Sequence, residues 1–225
     1  MFTIKVIFFD TETTGLDFRS DSIIELAMLT VEDGTKTDSY DEFIDIGRPI
    51  SPKISKLTGI TNDMIRNEGI NEEKVAMDLR ERLTEGTLMV AHNCQFDLLF
   101  VYSLLARHFP DDANEIVSNL NWLDTVSVLK DRKKYPHRLI DAVEYYDIEK
   151  VNFHRAIDDT KALYNVTMAM KSERDDLREY INIFGFNPRY GVNGKRFEFI
   201  EYKSQSFHQR IVAPEFTLPN RKSLY

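Results

Sequence analysis

Residues 4–16 read Ile4-Lys5-Val6-Ile7-Phe8-Phe9-Asp10-Thr11-Glu12-Thr13-Thr14-Gly15-Leu16, and the fold turns on how this stretch is read. Its apolar and β-branched run predicts a buried strand, which ends in two carboxylates ahead of a Thr-Thr-Gly turn. Asp10 and Glu12 are two residues apart, so in an extended chain they point to the same face. Burying one carboxylate at the end of a core strand is costly, and burying two is worse, unless positive charge sits between them. Oxygen-only ligands with no thiol nearby suit a hard divalent cation such as Mg²⁺ or Mn²⁺.

Working outward, Ile23–Val31 reads as a second buried strand and Ser39–Ile46 as a third, joined by the Glu32-Asp33-Gly34 turn into an antiparallel meander. Short helices are expected near Ser51–Leu57 and Thr61–Arg66, and a longer one from Asn71 to Leu83 with Asn71 as its cap. Thr87–Ala91 reads as a short strand running into His92-Asn93-Cys94-Gln95-Phe96-Asp97 and then a helix to about Arg107. Asp97 shares a helical face with Phe100, Val101 and Leu104, which is the core face. A strand at Asn121–Asp124 and helices near Thr125–Asp131 and Arg138–Tyr146 follow, and a last core helix begins near Arg155. In that helix Asp159 lines up with Ala162, Leu163, Val166 and Met170, whereas Asp158 lines up with Lys161 and Asn165. Asp159 therefore faces inward and Asp158 faces solvent.

The chain of 225 residues can bury a sizeable core. A single cysteine, Cys94, excludes an internal disulfide framework and fits a reducing compartment; it reads as a small buried residue. No apolar stretch approaches a membrane span, and the N-terminal run ends in acids, unlike a signal peptide, so a cytoplasmic protein with no membrane partner is expected. The net charge of −8 argues against gripping nucleic acid by bulk electrostatics, yet leaves room for a strand held at one end through metal ions. Residues 173–225 carry 9 Lys and Arg against 7 Asp and Glu, so they are +2 while residues 1–172 are −10. That shift suggests a boundary near residue 172. Beyond it the sequence predicts a helical stretch, Glu173–Phe184, and a hairpin closed by Asn193-Gly194 between Arg189–Val192 and Lys195–Tyr202.

Three motifs in order, Phe9-Asp10-Thr11-Glu12-Thr13-Thr14-Gly15-Leu16, Ala91-His92-Asn93-Cys94-Gln95-Phe96-Asp97 and His154-Arg155-Ala156-Ile157-Asp158-Asp159, resemble the DEDD family of 3′–5′ exonucleases. Leu57-Thr58-Gly59-Ile60-Thr61 and His137-Arg138-Leu139 resemble the family too, and the resemblance covers roughly residues 1–172. His154 stands five residues before Asp159, as in the histidine branch (DEDDh, DnaQ-like); the tyrosine branch places Tyr four before, where this chain has Arg155. The Thr13-Thr14-Gly15-Leu16 turn is most similar to that of the proofreading exonucleases of bacterial replicative polymerases.

The resemblance implies an α/β, ribonuclease H-like fold, a central mixed sheet flanked by helices, with an exonuclease domain at 1–172 and a C-terminal extension at 173–225. It implies two Mg²⁺ or Mn²⁺ ions, with Asp10 shared between them, Glu12 and Asp159 completing the first site, and Asp97 supporting the second. His154 becomes the general base, and Thr13 and Leu16 the holders of the terminal nucleotide; Phe96 reads equally as an aromatic that stacks on a base and as a core residue. The implied substrate is the 3′ end of single-stranded or frayed DNA, with nucleoside 5′-monophosphates as products. Residues 173–225 occupy the position at which proofreading subunits dock a polymerase, but no residue match carries that role over, and an extension that completes the fold is the other reading. Two other readings share these residues: an exonuclease for RNA or short oligonucleotides, and a non-catalytic polymerase adaptor, whose expected mark would be a missing acid or histidine. All five are present.

Overall fold

The computed structural model describes residues 5–149 and 155–212. The first strand, β1 (Lys5–Thr13), carries both acids within the strand. It is followed by β2 (Ile23–Glu32) and β3 (Thr35–Asp45) in an antiparallel meander, with β1 and β2 in register from Lys5↔Glu32 to Thr13↔Ile23. Helices α1 (Pro52–Thr58) and α2 (Asn62–Glu68) start on side-chain caps from Ser51 and Thr61, which satisfy amide groups that the first helical turn leaves open. A two-residue strand, β4 (Ile70–Asn71), leads into α3 (Glu72–Arg82), with Asn71 accepting from the Glu73 amide as its cap.

Next come β5 (Leu88–Ala91), α4 (Cys94–His108), α5 (Ala113–Ser118), β6 (Asn121–Asp124), α6 (Thr125–Arg132), α7 (Leu139–Tyr145) and α8 (Ala156–Glu173). The sheet has six strands in the order β4-β3-β2-β1-β5-β6. The β1–β5 and β5–β6 pairs are parallel, so the sheet is mixed and β1 lies inside it. Side chains alternate across this sheet. Ile7 and Phe9 enter one core with Val75 and Leu79 of α3 and Leu98 and Val101 of α4. Phe8 enters the other, with Val128 of α6, Val143 of α7 and Leu163, Val166 and Met170 of α8. The pairing of β1 with β5 runs only from Val6↔Leu88 to Phe8↔Val90, so the acidic half of β1 projects past the carboxyl end of β5. In open sheets of this kind that edge is where ligands bind.

Residues 173–212 differ from the sequence expectation. α8 stops at Glu173, a single 3-10 turn covers Leu177–Tyr180, and β7 (Ile183–Phe186) replaces the rest of the predicted helix. Asp176 is drawn into a buried ion cluster, 2.5 Å from Arg132 and 2.6 Å from Arg210. The predicted hairpin is also absent: β8 (Glu201–Ser204) pairs in parallel with β7. The carbonyls of Asn193, in the expected turn, and of Lys195, in the expected second strand, accept instead from the Gln95 side-chain amide at 2.9 and 2.8 Å. Asn182 covers the outer edge of β6: its amide donates to the Trp122 carbonyl at 2.7 Å, and its side-chain oxygen accepts from the Trp122 amide at 2.8 Å. Among the described residues no helix is long and apolar enough to cross a membrane.

Candidate active site

Asp10 and Glu12 belong to the even-numbered face of β1, the face on which α8 packs. α8 delivers Asp159 from its first turn, and one carboxylate oxygen from each of Asp10, Glu12 and Asp159 lies within 4.8 Å of the others. Asp158, one position earlier, turns outward to an ion pair with Lys161 at 3.3 Å. The first turn of α8 is set by a residue the sequence reading passed over. Glu25 stands opposite Glu12 in the β1–β2 register and is fully buried. Its carboxylate accepts from the Ala156 amide at 3.1 Å and from Arg155 Nε at 2.9 Å. One oxygen thus caps the helix and the other holds the cation just before it. The signal was present in Ile23–Val31, where Glu25 is the single charge in an apolar run and so needed a partner.

Asp97 is buried in the first turn of α4 and lies outside the Asp10–Glu12–Asp159 triplet. The pleat explains this. α4 packs on the odd-numbered face of β1, and Asp97 accepts there from the Thr11 hydroxyl at 2.8 Å. The start of α4 is held by Asp124, whose Oδ1 accepts from the amides of Asn93 and Cys94 at 3.0 and 3.2 Å. His92 is a strut, with one ring nitrogen 2.9 Å from the Thr125 hydroxyl and the other 2.8 Å from the His137 carbonyl. Burial lowers its pKa, which suits a neutral ring shaping the site. Burial pushes the Cys94 thiol well up, so it has no nucleophilic character.

The turn after β1 is rigid. The Thr13 hydroxyl donates to the Gly15 carbonyl at 2.6 Å, and the Thr14 hydroxyl donates to Asp21 at 2.9 Å. A Cβ on Gly15 would meet the Asp21 carboxylate at 2.3 Å, so glycine is required for the turn to close on that anchor. This arrangement leaves Leu16 81% exposed beside the acids of β1. Phe96 is half-buried, packed on Phe100 with ring centroids 4.8 Å apart. His154 lies outside the described residues.

The electrostatics of the site are those of crowded acids. Burial, then Asp97, Asp159 and Glu12, raise the Asp10 pKa well above the usual carboxylate range. Burial, then Glu25 and Asp159, raise Glu12 to about 7. Burial raises Asp97 to about 7 against the lowering effect of the Thr11 hydrogen bond. Three carboxylate oxygens converging in this way, with no thiol or imidazole among them, fit a hard divalent cation.

A carboxyl with a raised folded pKa binds more protons in the folded state, so its contribution to stability is lost as pH rises through that pKa. The metal-free chain is therefore expected to lose stability between about pH 5 and pH 8, as Asp10, Glu12 and Asp97 ionise. His92 acts in the opposite sense, since its lowered pKa favours the fold as pH rises, but it is one group against three. Thermal unfolding in EDTA checks this: Tm should fall by about 5 °C or more over that range. Added Mg²⁺ or Mn²⁺ should raise Tm far more at the alkaline end, because ligands bind when deprotonated. A Tm that climbs with pH and ignores metal would contradict it.

The "Exonuclease" family model (RNase_T) matches residues 7–167, which span the three motifs and both acid-bearing helices. The chain belongs to the DnaQ-like 3′–5′ exonuclease family. This exonuclease chain is 36% identical over 169 residues to the PolC-type DNA polymerase III of Bacillus subtilis (strain 168), covering 73% of the chain and 11% of that relative. It is 32% identical over 188 residues to the PolC-type DNA polymerase III of Latilactobacillus sakei, covering 84% of the chain and 13% of the relative. The exonuclease thus spans only a small fraction of the length of these polymerases. Its fold is similar to that of E. coli ExoI solved with single-stranded DNA, with a TM-score of 0.69 at 20% identity over 79% of this chain and 42% of that one. Exonuclease I from Methylocaldum szegediense has a TM-score of 0.67 at 20% identity, over 77% of this chain and 42% of that one.

Proposed function

We propose that the chain is a divalent-metal-dependent exonuclease that hydrolyses phosphodiester bonds from the 3′ end of single-stranded or frayed DNA and releases nucleoside 5′-monophosphates. The observation that carries this reading is the convergence of Asp10, Glu12 and Asp159 at the open edge of the sheet. Asp10, Glu12 and Asp159 would hold one Mg²⁺ or Mn²⁺, and Asp10 with Asp97 would support a second. Such ions would supply a hydroxide nucleophile at neutral pH and neutralise charge on the phosphate and the leaving oxygen. His154 takes the proton from the attacking water, a task suited to an imidazole that titrates near neutrality. Thr13 and Leu16 hold the terminal nucleotide, with Leu16 against its base, and Phe96 lines the same end. Asp97 keeps its place through Thr11, and Glu25 fixes the helix that carries Asp159.

ExoI is described with single-stranded DNA and the PolC-type relatives are polymerases, which supports proofreading or repair in the cytoplasm. A polymerase reached through residues 173–225 belongs to the same reading. Degradation of 3′-labelled single-stranded, paired and mismatched DNA and of matched RNA tests it. The protein should be inert in EDTA and active with Mg²⁺ or Mn²⁺, releasing 5′-monophosphates and preferring unpaired ends, because an acidic surface offers little energy for opening a duplex. Release from the 5′ end would refute the reading. A strong preference for RNA would move the substrate from DNA to RNA without changing the residues assigned.

A further inference from the structure

Residues 187–197, Asn187-Pro188-Arg189-Tyr190-Gly191-Val192-Asn193-Gly194-Lys195-Arg196-Phe197, hold three cations and no acid in a chain of net charge −8. The family match ends at residue 167, so nothing in it accounts for this segment. The structure fastens the segment to the rim of the site. Gln95, two residues before Asp97, donates to the carbonyls of Asn193 and Lys195 and accepts from the Tyr202 hydroxyl at 2.9 Å. Gly194 has φ +73° and lies so close that a Cβ there would be 2.6 Å from Leu99 and 3.3 Å from the Phe18 ring. Phe18 follows Leu16 in the turn after β1, and the Arg19 guanidinium sits 5.4 Å from its ring centroid. The Lys195 ammonium is turned inward, 3.8 Å from the Tyr102 ring, as an anchor. Arg189 and Arg196 are exposed, and Tyr190 is 75% exposed with the Arg189 guanidinium 5.5 Å from its ring.

We propose that Arg189, Tyr190 and Arg196, together with Leu16, Phe18 and Arg19 of the turn, form a docking strip for the single strand upstream of its 3′ terminal nucleotide. The occupant follows from the chemistry. Exposed guanidinium groups match phosphates, and an exposed tyrosine carrying a cation offers a base a stacking face. Pinned beside the turn that presents Leu16, a segment with cations and no acid suits a polyanion entering the site. The strip also deepens the proposed function, on which it rests: the acids act at the 3′ end, and the strip holds the strand that leads to it.

The test is binding of fluorescently labelled oligothymidylates of about 4 and about 16 nucleotides, measured by anisotropy in EDTA so that nothing is cut. Wild type is compared with the Arg189→Ala/Tyr190→Ala variant and with Arg196→Ala. All three positions are exposed, so the variants should fold. The double variant should lose about tenfold or more in affinity for the longer strand and little for the shorter. The dependence of log K on log salt should become shallower by about 0.7 for each phosphate that is no longer neutralised. Equal affinity of variant and wild type for the longer strand would overturn the strip, as would an equal loss at both lengths; a surface that docks a protein would give the first result. Wild type that binds the longer strand through these residues but cuts nothing with Mg²⁺ would sink the exonuclease reading and still support the strip. Wild type that cuts but binds both lengths alike would overturn the strip alone.

Discussion

Asp10→Ala should lose about 10³-fold or more in single-turnover rate on a 3′-labelled strand, and most of its response to Mn²⁺ with it. Asp10 is the acid most embedded among the others, and on the proposed function it is the ligand both ions share. Losing it removes several kcal/mol of transition-state stabilisation, at a tenfold change in rate for each 1.4 kcal/mol. The loss should not come from unfolding. Asp10 is a half-buried acid repelled by its neighbours, so its removal should raise Tm in EDTA at alkaline pH. Asp158→Ala is the companion measurement. Its carboxylate is paired with Lys161 away from the triplet, and rate and Mn²⁺ dependence should stay near wild type. If Asp158→Ala were as inactive as Asp10→Ala, the choice between the two neighbouring acids of α8 would be wrong.

His154→Ala should fall by about 10²–10⁴-fold in kcat, the usual scale of general acid–base catalysis. Unlike Asp10→Ala, it should keep its Mn²⁺ affinity and its strand affinity, because every carboxylate remains. Its pH profile should differ from wild type only by the contribution of the imidazole, because the acids that titrate around neutrality in the metal-free chain remain. Single-turnover rate against Mn²⁺ and against pH separates the two variants. Full activity of His154→Ala at neutral pH would remove the histidine from the mechanism.

The acids were legible in the sequence because period and propensity agree there. A buried strand with carboxylates at i and i+2 puts both on one face, and the apolar phases of α4 and α8 turn Asp97 and Asp159 inward. The helix starts at Ser51, Thr61 and Asn71 were legible for the same local reason, since a cap is written next to the helix it serves. Depth was not legible. Helical phase says that Asp97 faces inward but not that it is held by the Thr11 hydroxyl, outside the Asp10–Glu12–Asp159 triplet. Glu25 announced only that it needed a partner, and that partner lies 130 residues away at Arg155. Residues 173–212 were misread because their structure is dictated from outside: Gln95 takes the carbonyls of the supposed hairpin, and Arg132 takes the aspartate of the supposed helix. Local propensity has no access to such distant claims on the backbone.

The acids, the strand that carries two of them and the helix that brings the third are all complete by residue 173, yet the sheet is finished only at residue 182. One asparagine answers both backbone groups of Trp122 on the outermost strand, as a further strand would. Proteins that leave such an edge bare offer a template to the next molecule in solution. For anyone preparing a minimal fragment, the meaningful end of this unit is therefore set by colloidal behaviour and not by chemistry. A cut placed by sequence similarity alone would keep every acid of the triplet and uncover a surface on which chains could add to one another.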